Sequence, residues 1–217
     1  MKYDLHTHSK YSSDGWMDIK TMINTGIKRG LSGIAITDHN TIKGGLESQK
    51  FKYKDFEIVI GSEISTERGE LIGLFLSEEI QSRVFLEVID EIRDQDGLVI
   101  VPHPFDSVRG NGISPDEKDV HLIDHVEILN SRCLNRKFNE KAAQYAEKHD
   151  LRTFAGSDAH FPWEIGNAGV EIQDSSLREA LNKENISVFN QKFSFTNAGL
   201  NMGLTTVVKF WKKLNSG

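Results

Sequence analysis

The chain holds one cysteine, four prolines, no long apolar run and no excess of basic charge. A lone Cys133 excludes an internal disulfide and a cysteine-rich zinc site. Beside a strand end it reads as a small buried residue. Apolar runs such as LIGLFL (71–76) and LVIV (98–101) are strand-sized. They fall short of the roughly 18 residues that span a bilayer, so no membrane association is expected. No signal peptide precedes a first strand expected from residue 2, which leads to a cytoplasmic assignment. The net charge of −6 argues against gripping a polyanion with the whole surface. Bound divalent cations would invert that field locally, so a phosphate substrate stays open. No linker, composition shift or low-complexity segment marks a second domain, and one domain over 1–217 is expected.

Short apolar runs alternate with helical patterns. Strands are expected at 2–5, 33–37, 56–65, 70–76, 98–101, 125–129, 152–156, 169–172 and 186–189. Helices are expected near 18–29, 41–51, 82–96, 135–149, 175–184 and 201–214, the first capped by Asp18 and stopped by Gly30. The strands at 56–65 and 70–76 read as a hairpin around Arg68-Gly69. The rest of the alternation predicts a mainly parallel sheet with right-handed crossovers. In the last helix, VVKFWKKL (207–214) reads as amphipathic, laying Val, Phe, Trp and Leu on the barrel.

Chemistry-bearing residues fall where those strands end. His6 and His8 sit one residue apart in DLHTHSKYSSDG (4–15), a spacing of about 6.6 Å on one face of a strand. Asp38 and His39 end the second strand, Glu63 the third. His103 follows LVIV, Glu127 and Asn130 lie on or after HVEIL, and Asp158 and His160 follow RTFAG. In a closed barrel such ends converge on one mouth, whereas an open doubly wound sheet gathers ligands from two or three strands. The distribution favours a closed or nearly closed barrel. His121, His125 and His149 fall elsewhere and read as surface or structural.

These motifs, HxH, SDG, TDH, the Glu after strand three, PHP (102–104) and GSDAH (156–160), resemble in order and spacing the PHP (polymerase and histidinol phosphatase) domain. The resemblance runs over residues 1 to about 165, with 166–217 completing the barrel and adding a C-terminal helix. It implies a distorted (β/α)7, TIM-like α/β barrel, with two or three divalent ions (Mn, Fe or Zn) at the C-terminal strand ends. By that resemblance His6, His8 and Asp158 hold one ion, with Glu63 bridging to a neighbour. His39, His160 and Asp14 hold a second. His103 and Glu63 hold a third, together with Glu70, which stands where many members have histidine. Asp38 is implied to orient a ligand from behind. Asp14 also departs from the common histidine; the acidic form occurs in relatives acting on nucleotides and oligonucleotides.

The implied activity is hydrolysis of a phosphomonoester or phosphodiester by a metal-bridging hydroxide, with a nucleotide or short oligonucleotide among the candidate substrates. Arg132, Arg109 and Lys43 are the candidate phosphate-binding cations. No obligate protein partner is evident. Two alternatives stand beside this reading: an amidohydrolase-type C–N hydrolase, which also opens with HxH, and a catalytically silent metal-binding module.

Overall fold

A computed structural model describes residues 1–110, 112–173, 176–183, 185–190 and 195–215. The chain runs β1 (Lys2–Thr7), α1 (Ile19–Lys28), β2 (Gly33–Ile36), α2 (Lys43–Ser48), β3 (Glu57–Thr66), β4 (Gly69–Leu74), α3 (Phe85–Asp94), β5 (Leu98–Val101), β6 (His125–Asn130), α4 (Arg136–Lys148), β7 (Arg152–Gly156), β8 (Ala168–Ile172), α5 (Leu177–Asn182), β9 (Ile186–Asn190) and α6 (Phe195–Asn215). Local chemistry fixes many boundaries. The Asp18 carboxylate accepts from the Thr21 amide to cap α1, and Gly30, at φ +73°, lets the chain leave it.

The strands form one sheet in the order β7-β6-β5-β4-β3-β2-β1-β8-β9. It is mixed rather than mainly parallel. β1/β2, β2/β3, β5/β6 and β6/β7 pair parallel, while β3/β4, β4/β5, β1/β8 and β8/β9 pair antiparallel. The β3–β4 hairpin closes at Thr66 and Gly69, as the sequence suggests. Its reversal has a functional effect: the first residues of β4 come to the mouth where the parallel strands end.

The sheet curls until the segment after β7 meets β1. Thr7 and Ala159 form a parallel bridge, the His8 amide donates to the Ala159 carbonyl at 2.8 Å, and the Asp158 amide donates to the His6 carbonyl at 2.8 Å. Behind this seam the buried Asp4 carboxylate accepts from the amides of Ser157 (2.9 Å) and Gly166 (2.7 Å). Burial raises the Asp4 carboxyl to about 6 despite these donors. The result is a nearly closed α/β barrel.

Helices cover the outside with apolar stripes at helical spacing. α3 buries Phe85, Val88, Ile89 and Ile92, and α1 buries Ile19, Met22 and Ile23. Full burial of such a side chain contributes about 1.5–3 kcal/mol. Cys133 is buried, as expected. α6 departs from its expected role. Val207, Phe210, Trp211 and Leu214 all lie more than half exposed, and among the described side chains of the helix the buried ones are Asn201, Thr205 and Val208. The docked stripe is mostly polar because it meets polar groups. Asn201 Nδ2 donates to Glu164 Oε1 (2.6 Å), and the half-buried Lys212 Nζ donates to the carbonyls of Lys10 (2.8 Å) and Ser12 (2.6 Å).

His125 shows what burial alone does. It is 1% exposed, its Nε2 donates to the Leu181 carbonyl at 3.2 Å, and desolvation pulls its pKa down to about 4. A depressed folded-state value means the neutral ring is favoured. The stability it contributes is complete above about pH 6.5 and is lost as pH falls toward 4, about 3 kcal/mol across that window. Urea unfolding at pH 7.5 and 4.5 is therefore expected to show a smaller acid loss in His125→Leu than in the wild type. Equal losses would contradict this account.

Candidate metal centre

The mouth of the barrel gathers nine ionisable side chains. β1 supplies His6, and His8 follows directly after it, with a register shift between Asp4 and Thr7 of the kind common beside active sites. The loop after β1 supplies Asp14, the segment after β2 His39, β3 Glu63, and the start of the reversed β4 Glu70. His103 follows β5, and Asp158 and His160 follow β7. His103 (φ 29°) and Asp158 (φ 58°) have left-handed backbones, a strain of order 1–3 kcal/mol each that clusters at functional sites.

Glu63 stands at the centre. Its Oε2 lies 3.3 Å from His6 Nε2, His8 Nε2 and His39 Nδ1, and its Oε1 lies 2.8 Å from His103 Nε2. Asp158 Oδ1 is 3.3 Å from His8 Nε2. Asp14 spans the outer pair, 3.2 Å from His160 Nε2 and 3.3 Å from His39 Nε2. Glu70 is 5% exposed and faces inward, 3.7 Å from His39 and 3.8 Å from His103. Four overlapping groups have the spacing to hold ions: His8/Asp14/His39/His160, His6/His8/Asp158, His6/Glu63/His103 and His39/Glu63/Glu70.

The donor set fits divalent cations. His8 Nε2 is buried without a hydrogen-bond partner although two carboxylate oxygens flank it. An orphaned lone pair between two carboxylates is what a cation satisfies. Mixed imidazole and carboxylate ligands suit Mn, Fe or Zn. The electrostatics of the donor set agree. Burial would raise the Glu63 carboxyl, yet His6 and His39 hold it well below the usual range. Burial would lower His39, but Glu63 and Asp14 bring it up to about 10. Burial and Arg132 together push His160 down to about 4.

Behind the ligands lie groups that aim them. His6 Nδ1 donates to Glu127 Oε1 at 3.0 Å, which leaves Nε2 facing Glu63, and Glu127 Oε2 accepts from the His103 amide (2.7 Å) and Asn130 Nδ2 (3.0 Å). Glu127→Gln would place an NH₂ group against one of these donors. Metal affinity, read by competitive chelation, is expected to fall 10–100-fold; an unchanged affinity would remove Glu127 from this role. Asp38 does not perform it for a histidine. Its carboxylate accepts from the Ser9 amide (2.5 Å) and Ser9 Oγ (2.7 Å), tying the loop after β1 to the end of β2. Ser12 does similar work, with its hydroxyl donating to Asp14 Oδ1 at 2.9 Å. The signal for Glu127 was a carboxylate inside an otherwise apolar strand. Nothing in the sequence singled out Ser9 or Ser12.

The three candidate cations fare differently. Arg132 is buried at the site, its Nη1 2.6 Å from His160 Nδ1 and its Nε 3.2 Å from Glu164 Oε1. Arg109 ion-pairs through Nη1 with Asp158 Oδ2 and through Nε with Asp106 (3.1 Å), so it braces a candidate ligand while lining the cavity. Lys43 is exposed on α2 and does not line the cavity. Lys209 and Thr206 of α6 do line it, closing one side of a space of about 300 Å³ over Asp14, His39 and Asp158.

Comparison with known proteins accords with this geometry. The PHP domain model matches residues 4–110, and the PHP-associated C-terminal model matches 136–185. An uncharacterized protein of Methanocaldococcus jannaschii is 38% identical over 185 residues, 82% of this chain and 73% of that protein. A 5'-3' exoribonuclease of Haemophilus influenzae is 38% identical over 78 residues, 34% of this chain and 28% of that protein. Among solved structures, a two-domain Bacteroides vulgatus protein containing a predicted PHP-like metal-dependent phosphoesterase superposes with a TM-score of 0.69 at 20% identity, covering 88% of this chain and 65% of that one. The chain thus spans less than two thirds of the exoribonuclease and of the Bacteroides protein. With two family models matched in succession and a relative 38% identical aligned over 73% of its length, the chain belongs to the PHP family.

Proposed function

We propose that this chain, as one domain over 1–217, is a metal-dependent phosphoesterase whose substrate is a nucleotide or short oligonucleotide. The observation that carries the reading is the convergence of nine ligand-competent side chains under a cavity whose rim holds Arg132 and Lys209. Anionic ligands below and cations above suit a phosphoryl group held between bound cations and guanidinium. The exoribonuclease likeness supports the substrate class.

His6, His8 and Asp158 would hold one ion, His39, His160 and Asp14 a second, and Glu63, His103 and Glu70 a third, Glu63 bridging. When bound, such ions lower the pKa of water toward neutrality and neutralise the phosphoryl oxygens. The protein's own part is positional. His160 Nδ1 lies 2.8 Å from the Asp158 carbonyl. The tautomer donating to that oxygen presents Nε2 toward Asp14. It also leaves Arg132 Nη1 without an acceptor on His160, so this nitrogen can serve a phosphoryl oxygen while Nε stays on Glu164 and Nη2 on Thr205. α6 walls the cavity, and Arg109 holds Asp158 in place.

The test is phosphate release from an aryl phosphate, mononucleotides and dinucleotides by metal-stripped protein refilled separately with Mn²⁺, Zn²⁺ and Fe²⁺. Metal-dependent turnover with preference for a nucleotide or dinucleotide is expected. Tight metal uptake without turnover of any phosphoester would overturn the proposal.

A further inference from the structure

Beside the metal cavity, on the far side of α6, lies a second concavity of about 520 Å³ lined by Trp16, Phe161, Trp163, Val208 and Trp211. Its rings are displayed rather than packed away: Trp16, Trp163 and Trp211 are 54%, 52% and 52% exposed. Phe161 and Trp163 stack face to face, with centroids 4.9 Å apart and planes 2° from parallel, and Trp211 meets Trp16 edge-on at 5.7 Å. Single exposed apolar residues need no explanation, but a contiguous aromatic surface does.

Its place in the chain is informative. Trp16 follows the ligand Asp14 by two residues, and Phe161 directly follows the ligand His160. On α6, Lys209 and Thr206 face the metal cavity, while Val208 and Trp211 face the aromatic groove. The two concavities share this wall and are less than a helical turn apart along it. The wall carries positive charge in a chain of net charge −6: Lys209 lines the metal cavity, and Lys212, further along α6, sets its ammonium on the backbone carbonyls of Lys10 and Ser12.

Flat aromatic faces bordered by lysines, one step from a phosphate-competent centre, match a nucleotide in which base and phosphate occupy adjacent places. Every base offers a π-face, and stacking on exposed aromatic rings is tolerant of sequence. We propose that the groove of Trp16, Phe161, Trp163 and Trp211 is a base-stacking subsite that seats a nucleobase of the substrate while its phosphate lies over the metal ligands. The inference rests on the proposed function and narrows it to substrates carrying a base next to the scissile phosphate. A second copy of this chain is the competing occupant.

Titration of the metal-loaded protein with a phosphorylated dinucleotide, read by tryptophan fluorescence, tests it directly. Quenching is expected in the wild type, with affinity weakened about 5- to 150-fold in Trp211→Ala and in Trp16→Ala, the range that loss of one stacked base carries. Trp211→Phe is expected to recover most of it. In turnover, the alanine variants should raise KM for the dinucleotide and leave glycerol phosphate unaffected. Equal dinucleotide affinity in wild type and variants would overturn the subsite, as would a dimer in sedimentation that Trp211→Ala dissociates without altering dinucleotide binding. The titration needs no turnover, so failure of phosphoester hydrolysis would sink the proposed function while the affinities still decide the subsite.

Discussion

Glu63→Gln is expected to cut metal-dependent phosphate release by ~10³-fold or more, as follows from removing several kcal/mol of charge stabilisation. No other carboxylate here touches so many candidate ligands: its two oxygens face His6, His8, His39 and His103. Glutamine keeps the volume and one oxygen but turns the second ligand atom into an NH₂ group and deletes the charge. The four histidines then surround a neutral amide, and an ion between them loses its shared anionic ligand. The check combines metal content of the purified variant, phosphate release and the shift of Tm on adding Mn²⁺. A ligand that binds only the folded chain raises stability with its concentration, by about 2.7 kcal/mol at 100 times Kd, so the wild type should show a clear rise and Glu63→Gln a smaller one. A variant that keeps a tenth of wild-type turnover would show that Glu63 is no bridge.

The second large effect is on folding. Gly156 ends β7 where it passes β1. A Cβ there would run into His6 Cβ and lie 2.9 Å from the His6 amide nitrogen and 3.1 Å from its Cα. These are strand atoms that cannot step aside without parting the seam between β1 and the end of β7. Overpacking costs typically 1–3 kcal/mol, and more where backbone must move, so Gly156→Ala is expected to cost about 3 kcal/mol. For a chain of this size that lowers Tm by about 6–12 °C. Gly203→Ala is the internal contrast. It sits exposed in α6 with open space where its Cβ would be, and alanine there is expected to stabilise by up to about 1 kcal/mol. Thermal unfolding of both variants checks the pair; a Gly156→Ala protein as stable as wild type would mean that the seam yields.

What the sequence disclosed and what it hid divide along physical lines. The strand positions were legible because apolar runs and punctuation are local, and the mouth residues because histidines and carboxylates after strands are rare enough to notice. Strand direction was not, apart from the β3–β4 hairpin. A run such as GVEI carries no mark of whether it will lie with or against KYDL, and β8 lies against β1. The last helix misled for a related reason. VVKFWKKL shows an apolar stripe, and burying it is the ordinary expectation, but on the docked face Asn201 and Thr205 find polar partners in Glu164 and Arg132, with Val208 buried beside them. The resemblance implies that Asp38 orients a ligand from behind. In the fold its carboxylate faces Ser9, and the partner of His6 comes from 121 residues away, in β6.

The seam that closes the barrel also sets a timetable. His6 and His8 lie in and just after β1 and leave the ribosome before the rest of the barrel, yet the groups that complete their surroundings, Ser157, Asp158 and Ala159, are about 150 residues further along. Contacts of such separation are slow to form because the intervening chain must first be ordered. Until then His6 and His8 are two imidazoles on an unpaired edge, with no Asp158 to share an ion. The three groups of His6, His8 and Asp158 that have the spacing to hold an ion therefore exist only once residues 157–159 have met β1, so the candidate centre is a property of the closed barrel and of no shorter piece of it.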